Sequence, residues 1–372
     1  MSNARSPSTR AVDSSSAGKA GNLSAPKTNG KRPLPGAATL QRLREKTWWP
    51  WCKRGVTLVF FALVSWLIVS QARNIAWSDV MNSVGRMPLR VLLAASVLTL
   101  LTYGMYCTFD LVGRYCSQHK LRTREVLGIG FISYAFNLNL GTIVGGVAFR
   151  YRLYGRLGLD AATITHVTVL SMLTNWIGYC LLSGVVFLIW PLALPPDWNV
   201  HPSALRWIGA LLCGIALAYV GFCVWRKGRD LEWRGHYVPA PRWPVAVIQL
   251  ALSSTHWMLM AGIVYMLLQQ RVPYPDVLMA MLVAAIAGVI AHVPAGLGVL
   301  EAVFVGLLSN KLPKNEILAA LLGYRAIYYV APLLLAAAAY AVVELRTRRA
   351  ANAAEEEGAQ RNYEESPDGN PA

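Results

Sequence analysis

Residues 276–309, DVLMAMLVAAIAGVIAHVPAGLGVLEAVFVGLLS, are an apolar run interrupted in its middle by His292-Val293-Pro294-Ala295-Gly296-Leu297-Gly298. The run is long enough to cross about 30 Å of hydrocarbon. A helix does not continue through the interruption, because proline lacks a backbone donor and glycine weakens a helix. A second run, 126–149, is broken in the same way at Asn137-Leu138-Asn139-Leu140-Gly141, with Gly145 and Gly146 following. Unbroken apolar segments lie near 55–72, 88–113, 162–190, 205–225, 243–270 and 320–345. The fold turns on whether the two broken runs cross the membrane or double back.

Loop charge decides between these. If all eight segments cross and the N-terminus is inside, the inner loops and C-terminal tail hold 10 Lys and Arg and the outer loops 13, which inverts the positive-inside rule. If both broken runs are re-entrant hairpins, the inner count is 16 and the outer 7. That topology gives each half two spans, a hairpin and a span, entered from opposite sides, which is an inverted repeat. A sequence echo agrees: Gly141 to Asp160 and Gly296 to Asn315 share a spacing of 19 residues, each ending at the start of the next helix. The expected fold is an all-α polytopic membrane protein, with about six full transmembrane helices and two re-entrant helical hairpins in an inverted repeat. Both termini are expected in the cytoplasm. Irregular backbone at membrane depth is tolerated where protein buries it or where it lines a wet cavity, so two facing hairpin tips mark a central site.

Composition bounds the class. Of 372 residues, 55% are hydrophobic and 15% charged, with a mean hydropathy of +0.39. The net charge of +16 does not point to nucleic acid, because eleven of the 35 basic residues fall within the first 54 positions and most others lie in short loops. Six scattered cysteines without a CxxC argue against a metal site or disulfide framework, and no cofactor is expected. No HExxH or GxSxG is present. Residues 1–45, rich in Ser, Gly, Pro and Lys, read as a disordered basic tail; 46–349 is the membrane domain; 350–372 reads as a disordered acidic tail.

The stretch His292-Val-Pro-Ala-Gly-Leu-Gly-Val-Leu-Glu301, followed by Gly323-Tyr-Arg325 and Pro332, resembles the lysylphosphatidylglycerol synthase transmembrane (flippase) domain family, particularly its stand-alone YbhN-type members. Gly145-Gly146-Val-Ala-Phe-Arg150 with Gly155-Arg156 is similar to that family's first characteristic stretch. The resemblance covers roughly 50–345. It implies a bacterial inner-membrane protein with lipid as its partner, and a separate lipid-modifying enzyme as a further partner, since the synthase domain of multi-domain members is missing.

Charge inside hydrocarbon costs several kcal/mol, which makes each intramembrane ionisable group a functional candidate. Arg325 is expected to bind a lipid phosphate and Glu301 to hold it or exchange protons; equally, the two form a structural ion pair. On straight-helix spacing Tyr328 and Tyr329 share a face with Arg325. Arg150 is a candidate for phosphate capture, whereas Arg152 and Arg156 read as topology signals at the interface. Asn139, with Asn137, caps broken helix ends and lines the tip; Pro294, Gly296 and Gly298 shape the other tip. Asn175 belongs to a stripe with Ser171, Thr174 and Gly178 that packs helices first and lines a cavity second. Asp110 reads as interfacial before it reads as a proton relay. Broken helices, inverted halves and nearby charges favour a transporter or flippase of anionic lipid; the alternatives are a membrane-embedded lipid-modifying enzyme and a non-transporting partner or regulator.

Overall fold

The structure, a computed structural model, describes residues 85, 87–190, 202–229, 231–233, 236–238, 241–291 and 296–364. The basic stretch 1–45, the apolar segment 55–72, Pro294 and the residues after Glu364 lie outside the described residues. The elements are α1 (Leu89–Ser117), α2 (Thr123–Leu140), a π-helical stretch (Thr142–Ala148), α3 (Phe149–Arg156), α4 (Ala161–Ile189) and α5 (Pro202–Arg226). There follow β1 (Leu231–Trp233), β2 (His236–Val238), α6 (Trp243–Leu267), α7 (Tyr274–Ala291), α8 (Val299–Leu308), α9 (Lys314–Tyr324), a second π-helical stretch (Arg325–Val330) and α10 (Ala331–Glu364). The antiparallel ribbon pairs Leu231 with Val238 and Trp233 with His236. It is a small addition to a fold that is otherwise helical, as expected, and α10 continues to Glu364, beyond the expected boundary at 349.

Among the described residues, six helical stretches are long and apolar enough to cross a membrane: α1, Ser203–Arg226 of α5, α4, α6, α7 and the continuous run Lys314–Thr347. Side chains such as Leu93, Leu100, Trp207, Leu211 and Leu217 point outward and stay exposed, as they do when lipid is the solvent. The chain is an integral membrane protein. Its α7, by itself span-length, was expected as one arm of a broken run; at about 1.5 Å per residue its 18 residues reach about 27 Å.

Both broken runs fold back on themselves. α2 stops at Leu140, Gly141 turns the chain, and the π-helical stretch packs against α2 so tightly that a Cβ on Gly145 would collide with the backbone of Phe136 and Asn137. Phe136 and Phe149 then stack with ring centres 4.1 Å apart, joining α2 to α3. In the second hairpin α8 packs along α7. Gly298 begins α8 at φ +77°, a conformation that L side chains rarely adopt, and donates its N–H to the Glu301 carboxylate at 2.9 Å.

Neighbouring helices fix where the hairpins sit. Asp160 caps α4, accepting from the backbone N–H of Ala162 and Thr163 at 3.1 Å each, directly after the foot of the first hairpin. At the other end of α4, Trp190 donates to Asp276 at 3.0 Å, and Asp276 also pairs with Lys311, so both feet of the second hairpin gather there. The run α9–α10 travels the opposite way, from Lys311 and Lys314 to Glu344, which pairs with Arg152 and Arg156 at the foot of the first hairpin. The first broken run thus ends next to the start of α4, and the second begins against its far end.

Small and polar residues let α4 and α6 approach closely. Gly178 of α4 lies against Ser253, whose hydroxyl donates to Asn175 O at 2.7 Å, and Gln249 donates to the Thr174 hydroxyl at 2.6 Å. The stripe read from the sequence is this packing face.

Candidate functional site

The hairpin tips line a cavity of about 790 Å³. Asn137, Leu140, Gly141 and Thr142 come from the first tip, and Gly288, Val289, Gly296 and Leu300 from the second. Asn175 and Trp176 of α4, His256, Trp257 and Met260 of α6, and Tyr329 of the second π-helical stretch complete the wall. Asn175 and Tyr329 each sit near the midpoint of a span-length helical run.

One side of the chamber is held by an ordered polar chain. A backbone carbonyl only accepts, so the 3.2 Å contact to Thr102 O makes His256 Nδ1 the donor and leaves Nε2 as acceptor. Tyr134 then donates to Nε2 at 3.1 Å, and Tyr328 donates to the Tyr134 hydroxyl at 2.7 Å. Tyr103 adds a bond to Tyr328 O at 3.0 Å, and Tyr106 stacks on Tyr134 at 3.6 Å. These contacts tie α1, α2, α6 and the last span together behind the wall.

Two ion pairs flank the hairpins, one wholly buried and one partly open. Arg150 and Asp110 are both wholly buried. The guanidinium donates to Asp110 from Nε at 3.3 and 3.1 Å and from Nη2 at 2.9 Å. It also donates to Gly146 O at 2.9 Å and to Ser171 at 3.1 Å, while Tyr154 donates to the carboxylate at 3.0 Å. Arg150 is thus removed from the phosphate-capturing position expected for it, and Asp110 is a buried partner, not an interfacial group. The second pair is bidentate: Arg325 Nε to Glu301 at 2.6 Å and Nη2 to Glu301 at 3.0 Å, with a further bond to Gly296 O at 3.2 Å. It pins the second tip to the last span, with Gly296 and Leu300 on the cavity wall.

The remaining expectations divide. Asn175 lines the cavity. Asn139 is buried and donates to Ala135 O at 2.8 Å and Tyr329 O at 3.4 Å, so it ties the first hairpin to the last span and does not face the chamber. Gly296 lines the wall, Gly298 caps α8, and Pro294 lies outside the described residues. The π-helical stretch separates the tyrosines: the guanidinium carbon of Arg325 lies 5.7 Å from the Tyr329 ring centre, whereas Tyr328 turns away into the tyrosine cluster. Sequence reasoning passed over Trp176 and Trp257. Their spacing from Asn175 and His256 on apolar helices was the available signal, masked by the abundance of tryptophan at span ends. Among the described residues no group of three or more His, Cys, Asp or Glu is placed to hold a metal.

Residues 55–336 match the family described as the lysylphosphatidylglycerol synthase TM region. The chain is 43% identical to inner membrane protein YbhN of Escherichia coli strain K12, across 81% of this chain and 95% of that protein. It is 30% identical to the Synechocystis protein slr0712, across 78% of this chain and 90% of that protein. It is also 26% identical to the phosphatidylglycerol lysyltransferase of Staphylococcus haemolyticus, across 55% of this chain and only 24% of that enzyme. On the family match and these nearly full-length relatives, this chain belongs to the lysylphosphatidylglycerol synthase TM family.

Proposed function

We propose that this protein carries a lipid headgroup across the bacterial inner membrane, opening the chamber between its hairpins alternately to each side while the acyl chains stay in the bilayer. In this reading both hairpins are re-entrant, the halves form an inverted repeat, and both termini are cytoplasmic. The observation that supports it is one cavity lined by residues from both broken runs, among them Asn137 and Gly296, and by Asn175 and His256. The inner-membrane location rests on the apolar helices and on the named Escherichia coli relative. The anionic headgroup expected from the arginines has less support, since Arg150 and Arg325 are both engaged with carboxylates.

Lipid modification is the second reading, favoured by the relatives named phosphatidylglycerol lysyltransferases. Reconstitution separates the two. Fluorescent lipids in proteoliposomes become accessible to an external quencher faster than in protein-free vesicles if the protein translocates them, with unchanged mass. A changed lipid mass without movement would replace transport by modification.

A further inference from the structure

Among the described residues, the chamber wall contains no Lys, Arg, Asp or Glu. Each arginine of the two ion pairs is matched by one carboxylate, Arg150 by Asp110 and Arg325 by Glu301, so neither brings an unbalanced charge to the chamber. An ionised headgroup entering would give up water without meeting a counter-charge, which disfavours it.

Hydrogen-bonding capacity is nevertheless left over. Asn137 lines the wall, and among the described residues the Asn175 carboxamide makes no side-chain hydrogen bond, although its own carbonyl is used by Ser253 and Trp257. A carboxamide offers two donors and an acceptor, the complement of hydroxyl groups that both give and accept. Beside them, Trp176 and Trp257 stand with ring centres 6.5 Å apart. The Trp257 N–H is already bonded to Asn175 O, so its ring contributes an electron-rich face, which attracts the weakly positive C–H groups of a sugar or polyol. The volume of about 790 Å³ falls in the range of small-molecule pockets, roughly 300–1,000 Å³.

From these features we infer that the chamber selects an uncharged, hydroxyl-rich lipid headgroup, a sugar or polyol, held by the carboxamides of Asn137 and Asn175 beside the rings of Trp176 and Trp257. The inference rests on the translocation reading for its setting and names the class of cargo. An anionic or zwitterionic headgroup is the competing outcome.

The full chain is reconstituted with fluorescent glucosyl-diacylglycerol, phosphatidylglycerol or phosphatidylethanolamine; quencher accessibility reports movement, and native mass spectrometry of the detergent-solubilised protein reports binding. The glucosyl lipid is expected to move at least about tenfold faster than either phospholipid. Asn175→Leu should lower its rate and its retention about tenfold, as the loss of one or two hydrogen bonds predicts, with the protein still eluting as a folded species. If that variant does not fold, Asn175→Gln, which keeps the amide but displaces it, is used and should lower the rate in the same sense. Faster movement of either phospholipid would overturn the headgroup inference while leaving translocation standing. Asparagine-dependent retention of the glucosyl lipid without movement would keep the headgroup and overturn translocation. Failure both to bind and to move it overturns the inference.

Discussion

The two ion pairs each join an arginine near a glycine break to a carboxylate, but their surroundings assign them different consequences. Asp110 and Arg150 are wholly enclosed and hydrogen-bonded on nearly every edge. Removing one partner strands the other in low dielectric, a cost of about 3–5 kcal/mol. Asp110→Leu or Arg150→Leu should therefore sharply reduce the folded fraction recovered in detergent, measured by size-exclusion fluorescence after heating, and the double variant should recover much of the loss. Equal loss in the single and double variants would show that the pair is not what each partner needs. Glu301 is partly open, with 23% of its side chain exposed, and it also caps α8. Glu301→Gln keeps an acceptor for the Gly298 N–H, so it should remain folded while lipid movement falls about tenfold, the worth of one charge-assisted hydrogen bond. Wild-type movement in that variant would reduce the Glu301–Arg325 pair to a staple. The proximity of Glu301 to Arg325 was legible from the motif. The Asp110–Arg150 pair was not, because its partners are 40 residues apart on different elements and neither sequence neighbourhood names the other.

At the level of elements, the glycine and proline punctuation gave the hairpins their places, but not the contacts that close them. Gly145 was noted only as a breaker; in the fold it is the point where the returning backbone touches α2. Gly145→Ala forces backbone against backbone, and overpacking of that kind costs about 1–3 kcal/mol. The variant should expose Thr142 and Val144 to thiol labelling, once each is replaced by Cys in a Cys-free background, faster than the same cysteines with Gly145 intact. Unchanged labelling would mean that the turn absorbs the added carbon. The start of α4 was legible too, since Asp160 stands where a cap belongs. Its carboxyl is held below the ordinary carboxylate range by the Thr163 hydroxyl and then by backbone N–H groups. The sign follows: the cap's contribution is present above the ordinary carboxylate value and is lost as pH falls through the lowered one. Asp160→Ala should cost about 1 kcal/mol near neutrality and flatten the decline in thermal stability on acidification; an unaltered acid profile would assign that decline to other carboxylates. The π-helical stretches were beyond reach of the sequence, because no local signal distinguishes an extra residue per turn from a continuous α-helix. That is why Tyr328 was placed with Arg325.

Across the whole molecule, the inverted arrangement proposed from loop charge makes demands on the packing that labelling can test. Asp160 follows the foot of the first hairpin at one end of α4, while Trp190 meets Asp276 and the foot of the second at the other. Glu344 returns the last span to Arg152 and Arg156. If α4 crosses the bilayer, its 29 residues, about 43 Å long, place these two feet on opposite surfaces. In a protein stripped of its six cysteines, Leu157→Cys and Asn310→Cys report on the two feet. An impermeant thiol reagent added to intact cells should label the position-310 variant and leave the position-157 variant unlabelled until the membrane is opened. The reverse pattern would keep the inverted architecture and turn the molecule over, placing the termini outside. Labelling of both variants from one side would place both hairpins on one face, and would remove the opposed gates that alternating access requires.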